Sequence, residues 1–289
     1  NQLTAEYITI SKVNWLDKAA NLRSIAEELN IGMDSIVFVD DSPFEVNLIR
    51  DQLKEVLVLQ VPKNIFSYPK MLRDSLGLFY NDSVTSEDSK RNEMYKAQSA
   101  RESNKTKHKN IDDYLQSLGL RVKVYKNDKS IIPRMSQLTQ KTNQFNLTTN
   151  RYTEQDILAF IEEQNSDVYA FEVSDRYGES GITGLCIVKA IAQPKDQVSI
   201  DTFLMSCRII GRNLEYAFMD YIIRDLSEKP ISSILATYNK TSKNEQVQMF
   251  YDSCQYSLID SKTQIKTYVL EISKYQPKNL EYIKVRYEK

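Results

Sequence analysis

The sequence predicts two parts, an α/β segment of Rossmann-like type followed by an α+β domain, and three observations carry this. A short all-apolar strand, Ile36, Val37, Phe38 and Val39, lies between two amphipathic stretches and ends in Asp40 and Asp41, the pattern of a strand buried in a parallel sheet. A polar, highly charged stretch follows it. Beyond that come longer β-branched runs, and the central one, 200–215, turns from strand into helix through Arg208, Gly211, Arg212 and Asn213.

Taken in order, Leu16, Ala19, Ala20, Leu22, Ile25, Ala26 and Leu29 recur at helical spacing. They predict a helix over 16–29 with Gly32 placed to end it. The strand at 36–39 leads to a helix at 44–53 and a second apolar strand at 56–61, completing an α/β unit. In such sheets ligands bind beyond the carboxyl ends of the strands, where Asp40 and Asp41 stand. Adjacent carboxylates repel unless a cation compensates them, and oxygen ligands suit Mg²⁺. The alternative is a turn with a helix N-cap.

The charged stretch begins at Asp82, with a capping box at 85–88 expected to start an exposed helix. It divides the chain into 1–81, a charged helical linker at 82–118, and a domain at 119–289. The linker's last helix, 111–118, is closed by Gly119. The second domain reads as strand 120–125, helices 130–142 and 153–164, strands 168–173, 182–191 and 198–206, and a helix from 211 to about 226. A strand at 231–237, a helix at 244–253 and strands near Tyr256 and at 265–272 complete it.

Composition narrows the function. The 289 residues suffice for two cores, and 41% apolar with 27% charged residues is ordinary for a globular chain. A net charge of −1 supplies no field to gather nucleic acid or an anionic membrane. No apolar run approaches the roughly 20 residues of a membrane span, and there is no secretion signal, so a cytoplasmic location is expected. Three scattered cysteines fit neither a disulfide framework nor a zinc site, and a single histidine disfavours Ser/His/Asp and Cys/His catalysis. Cys207 nevertheless sits at the strand-to-helix turn, where unpaired N–H groups suit an anion.

Several phrases then fit together. They are Asn14-Trp15 with Lys18 and Asn21; Leu29-Asn30 with Gly32, Asp34-Ser35, Val37-Phe38, Asp40-Asp41, Pro43 and Glu45; the run 141–149; Asp175-Arg176-Tyr177-Gly178; and Ser206-Cys207-Arg208 with Gly211-Arg212. With these, the chain resembles the FkbH-like proteins, in which a HAD-type phosphatase domain of subfamily IIIC is fused to a GNAT-like acyltransferase domain. The resemblance implies an incomplete HAD-type segment followed by a GNAT-like domain. Lys18 would neutralise a transferring phosphoryl group, with Asp40, Asp41 and Glu45 on Mg²⁺. The HAD nucleophile strand belongs many tens of residues before Lys18, so this chain alone is expected to show no phosphatase turnover.

For the second domain the resemblance implies that the pantetheine arm of CoA or of an acyl carrier protein lies between two splayed central strands. Its phosphate would meet a turn patterned as Arg or Gln, two residues, Gly, one residue, then Gly or Ala. Arg208, Gly211 and Arg212 follow that pattern, and Asn213 stands at its last position. Asn244 and Tyr251 resemble the segment that closes over the arm. The family is associated with polyketide biosynthesis. It loads a glyceryl unit from 1,3-bisphosphoglycerate, a small phosphorylated three-carbon donor, onto the phosphopantetheine of an acyl carrier protein. Cys207 would be the covalent relay, or else pack in a strand. Asp175 and Glu179 would approach the cleft mouth as catalytic groups, or serve a hairpin turn. Two other readings stand beside this one: an acetyl-CoA-dependent N-acetyltransferase, and a non-catalytic docking module for carrier proteins.

Overall fold

The computed structural model describes residue 4 and residues 7–79, 90–163 and 165–287. The chain divides into two compact units, Asn1–Ser103 and Asn104–Lys289. The division falls inside the stretch 82–118 expected to be a linker, and the capping box at 85–88 lies outside the described residues.

In the first unit, helix α1 (Lys18–Leu29) is capped by Asp17, whose carboxylate accepts from the Ala20 N–H at 2.7 Å. The helix stops at Asn30 rather than at Gly32, because Asn30 itself takes the left-handed conformation (φ 53°), which asparagine tolerates. Strand β1 (Val37–Asp40), helix α2 (Pro43–Gln52) and strand β2 (Leu57–Gln60) follow, with β1 and β2 parallel and Val37 opposite Leu57. Ser42 caps α2 and Pro43 opens it. Helices α3 (Tyr68–Asp74) and α4 (Arg91–Lys105) come after. Its packed cluster is Ala19, Phe38, Ile49, Leu53 and Val56, with Ala26, Leu29, Val46 and Met94 also buried, while Val13, Trp15 and Phe66 stand exposed.

The second unit starts with α5 (Ile111–Leu118), which is no linker element: Tyr114, Leu115 and Leu118 are part of the unit's core. The other elements are β3 (Arg121–Lys126), α6 (Ile132–Lys141), α7 (Glu154–Glu162), β4 (Ser166–Asp175), β5 (Gly178–Ala190), β6 (Gln197–Met205), α8 (Leu214–Ser227), β7 (Ser233–Asn239), α9 (Phe250–Ser253), β8 (Ser257–Ser261), β9 (Ile265–Glu271) and β10 (Lys284–Tyr287). They form an eight-stranded mixed sheet in the order β10-β3-β4-β5-β6-β7-β9-β8.

Helices cover both faces. On one face α5, α8 and α9 pack against Val122, Tyr169, Phe171, Cys186, Phe203, Met205, Ala236 and Tyr268. On the other, Met135 and Leu138 of α6 and Ile157 of α7 pack against Val168, Ala170, Leu185, Ile187 and Leu204. Residues of β6 therefore supply both cores, Val198, Ile200, Phe203 and Met205 to one and Leu204 to the other, with the alternation interrupted at Asp201. Gly184 of β5 is required by space: a Cβ there would lie 1.8 Å from the Phe171 ring. Gly184→Ala is expected to destabilise the unit by roughly 1–3 kcal/mol through this overpacking, read as a lowered urea midpoint. Among the described residues no helix is long and apolar enough to cross a membrane.

Candidate functional site

The sheet is antiparallel around its centre except where β6 meets β7, and this parallel pair comes apart. Pairing covers only 197–200 against 233–236, ending at Ile200 opposite Ala236. Beyond that point β6 continues to Met205 and β7 to Asn239, leaving an opening between them. Their inward-facing backbone groups need partners.

Residues 145–149, from the loop between α6 and α7, supply them. The Met205 N–H donates to the Phe145 carbonyl at 2.9 Å, Leu147 N–H to the Phe203 carbonyl at 3.1 Å, and Asn239 N–H to the Leu147 carbonyl at 2.7 Å. Asn146 thus lies opposite Leu204 in antiparallel sense. On the α8/α9 face, the Phe145 ring lies 6.1 Å from that of Phe203 and 5.4 Å from that of Phe250. Asn244 closes the arrangement. Its side-chain N–H groups donate to the carbonyls of Asn146 and Asn239, each at 2.9 Å, and its oxygen accepts from Thr241 N–H at 2.8 Å and Tyr238 O–H at 3.1 Å. Among the buried polar atoms with no hydrogen-bond partner among the described residues are the Tyr251 hydroxyl, in the core on the α8/α9 face beside Tyr256 and Tyr268, and the side-chain oxygen of Asn239, whose amide N–H donates to the Thr148 carbonyl at 3.1 Å. Burial pushes the Tyr251 phenol well above its ordinary pKa, so it stays protonated and able to donate.

On the α6/α7 face, at the point where the strands part, stands Asp201. A register shift between β5 and β6 leaves it unpaired in the ladder. Its carboxylate accepts from Tyr152 O–H at 2.6 Å and Lys189 Nζ at 2.8 Å. Burial alone would raise its pKa; the hydrogen bonds from Lys189 and Tyr152 and the Lys189 charge outweigh this and hold it below the carboxylate range. The sign follows: the stabilisation is present above the unfolded-state pKa and is lost as pH falls through the lower folded-state pKa. Lys189→Met should therefore move the acid-unfolding midpoint to higher pH, as followed by circular dichroism.

The turn after β6 takes a short 3₁₀ form at Cys207–Ile209 and enters α8 through Asn213. Gly211 and Asn213 both have left-handed backbone, φ 84° and 59°. Gly211 is placed there by conformation and not by crowding, since nothing lies within 4 Å of its added Cβ. Asn213 meets the same requirement, and its side chain donates to Tyr282 O–H at 2.8 Å. Cys207 is half-buried, whereas Cys186 and Cys254 are sealed in the core with thiols pushed up by burial. Arg208 Nε donates to Ser206 Oγ at 3.4 Å, and Arg212 donates to the Arg208 carbonyl at 2.9 Å.

Not every expected residue reaches this site. Arg212 is buried in an ion pair with Asp175 at 3.6 Å, which engages both a proposed phosphate ligand and a proposed catalytic acid. Asp175 also accepts from the Tyr177 N–H at 2.9 Å, the hairpin role. Glu179 lies in the opposite limb of that hairpin, paired with Ser174 and beside Arg121 and Lys123.

In the first unit Lys18 does meet Asp40, at 2.7 Å. Burial opposes ionisation of Asp40, but hydrogen bonds from Lys18 and the Ser42 N–H hold its pKa low, and the Asp40 hydrogen bond raises that of Lys18. Asp41 is exposed, and one Glu45 oxygen is buried with no hydrogen-bond partner among the described residues. Among the described residues no group of three or more acidic, histidine or cysteine side chains is placed to hold a metal ion. The Lys18 ammonium occupies Asp40 Oδ2, and the expectation of Mg²⁺ on Asp40, Asp41 and Glu45 stays without support among the described residues.

No protein-family profile and no curated protein matches the chain. Solved structures do resemble about half of it. The ribosomal-protein-S18-alanine N-acetyltransferase of Escherichia coli is similar at 12% identity and TM-score 0.41, covering 55% of this chain and 98% of that one. The yncA protein of Salmonella typhimurium, solved with its cofactor acetyl-CoA, matches at 12% identity and TM-score 0.41, covering 55% and 98%. The GNAT domain of S. lividans PAT matches at 14% identity and TM-score 0.41, covering 51% and 89%.

The run 141–149 carries part of the family resemblance in the sequence, but its phrases do not place Phe145 and Leu147 between the strands. The available signal was two apolar residues at strand spacing inside that polar run.

Proposed function

We propose that residues 104–289 form a GNAT-type acyltransferase whose acyl group arrives on a pantetheine thioester held between β6 and β7. The observation that carries it is the opening of a parallel strand pair in the middle of a sheet, where β6 and β7 stop pairing after Ile200 and Ala236. A pantetheine arm carries two amides and therefore reads strand edges as a peptide does. A CoA or phosphopantetheine phosphate would lie at the 206–213 turn, whose N–H groups open α8. Tyr251, kept protonated, would donate to the departing thiolate. In its plainest form this is transfer from acetyl-CoA to an amine.

The second reading is glyceryl loading onto an acyl carrier protein, and it is favoured by the half-buried position of Cys207 at the carboxyl end of β6. There the thiolate would attack the acyl carbon of the acyl phosphate and expel inorganic phosphate, leaving a 3-phosphoglyceryl thioester whose remaining phosphate ester must be hydrolysed in a separate step to give the glyceryl group. The carrier's thiol would then take the acyl group and release Cys207.

One experiment separates the readings. The full chain is incubated with acetyl-CoA plus an amine, or with 1,3-bisphosphoglycerate, and followed by intact mass and thiol release. Amine acylation that falls at least 10-fold in Tyr251→Phe supports the first. A covalent adduct absent from Cys207→Ala supports the second. No turnover and no adduct with either donor would refute both.

A further inference from the structure

The opening between β6 and β7 is already filled by the chain itself, and this has a functional meaning if the acyltransferase reading holds, on which it rests. We propose that residues 145–149 occupy the site of the thioester arm in the resting protein, and that the arm enters only when this segment withdraws. An arm lying along β6 pairs with the backbone groups that face the opening. Those groups are the Phe203 carbonyl and the Met205 N–H, and both are taken, by Leu147 N–H and the Phe145 carbonyl. The apolar space beside them is taken too, since Phe145 is 3% and Leu147 0% exposed.

The segment satisfies the strand edges through its backbone, but it belongs to the loop between α6 and α7 and is not a strand of the sheet. Besides the backbone pairs, side chains from outside the strands hold the segment: Asn244 donates to the Asn146 carbonyl at 2.9 Å and Asn239 to the Thr148 carbonyl at 3.1 Å, and Arg151 ties its flank. Arg151 donates to the carbonyls of Thr139 and Thr142 and to the Asn143 side-chain oxygen, tying the loop to the end of α6. Thr148 and Asn150 add hydrogen bonds to the Asp201 carbonyl at 2.9 and 3.1 Å. All of these can open without disturbing the β4–β5–β6 ladder.

The test uses the full chain, with acetyl-CoA as probe. Equilibrium binding is compared for wild type, Arg151→Ala and Phe145→Ala, with thermal melts confirming that each variant is folded. Hydrogen exchange of the wild type is measured with and without the probe. The expected results are at least 10-fold tighter binding by a folded variant, and at least 10-fold faster exchange of the Leu147 amide on saturation with acetyl-CoA. Binding to the wild type with Leu147 still protected, and no gain in either variant, would overturn the withdrawal while leaving the acyltransferase reading intact. No binding of acetyl-CoA by any of the three proteins would overturn both.

Discussion

Arg212→Ala is expected to destabilise the second unit by about 3–5 kcal/mol, the cost of leaving a buried charge without its partner. The Arg212 and Asp175 side chains are 5% and 0% exposed, with 3.6 Å between Nη1 and Oδ2. The pair joins the end of β4 to the turn that enters α8, so its loss also loosens the turn. Urea denaturation monitored by circular dichroism measures the effect. Asp175→Asn added to Arg212→Ala should recover part of the loss, because the charge left behind is then neutral. A variant with unchanged stability but weaker thioester affinity would instead make Arg212 a phosphate ligand.

Phe203→Ala should cost a comparable 3–5 kcal/mol. Its ring is fully buried, 4.9 Å from Phe250 and 5.5 Å from Phe218. It is also the wall of the opening on the α8/α9 face, so truncation creates a cavity where Phe145 now packs. Phe203→Leu, which keeps more of the volume, should lose much less. The comparison of the two urea midpoints reads the packing contribution directly.

Much of the second unit was legible in its sequence because burial imposes a clear period there. The β-branched and apolar run at 198–206 and the amphipathic stretch after Gly211 predicted β6 and α8 to within about three residues, as observed. Thr153 was legible as a helix start, and the structure shows a full capping box with Asp156. The helix expected at 244–253 proved to be two short pieces, Glu245–Val247 and Phe250–Ser253, since Asn244 spends its side chain bridging 146 and 239 instead of capping a continuous helix. The strand β10 went unread because Lys284, Val285, Arg286 and Tyr287 carry only one aliphatic residue between charges.

The site was less legible. Side-chain chemistry at the turn identified Cys207, Arg208, Gly211 and Asn213, and these do lie together between β6 and α8. It could not show that Arg212 and Asp175 would neutralise each other, since 36 residues of chain separate them and only the hairpin at 176–177 brings them together. Nor could it show the occupied opening, which depends on tertiary pairing of a loop with two strands.

The central claim is that the opening between β6 and β7 is a thioester site. Its most direct test is a titration of isotope-labelled full-length chain with acetyl-CoA, following amide resonances residue by residue. The account predicts saturable shifts at Leu147, Met205 and Asn239 together with the turn at 206–213. Saturable binding that leaves those amides unmoved would contradict it.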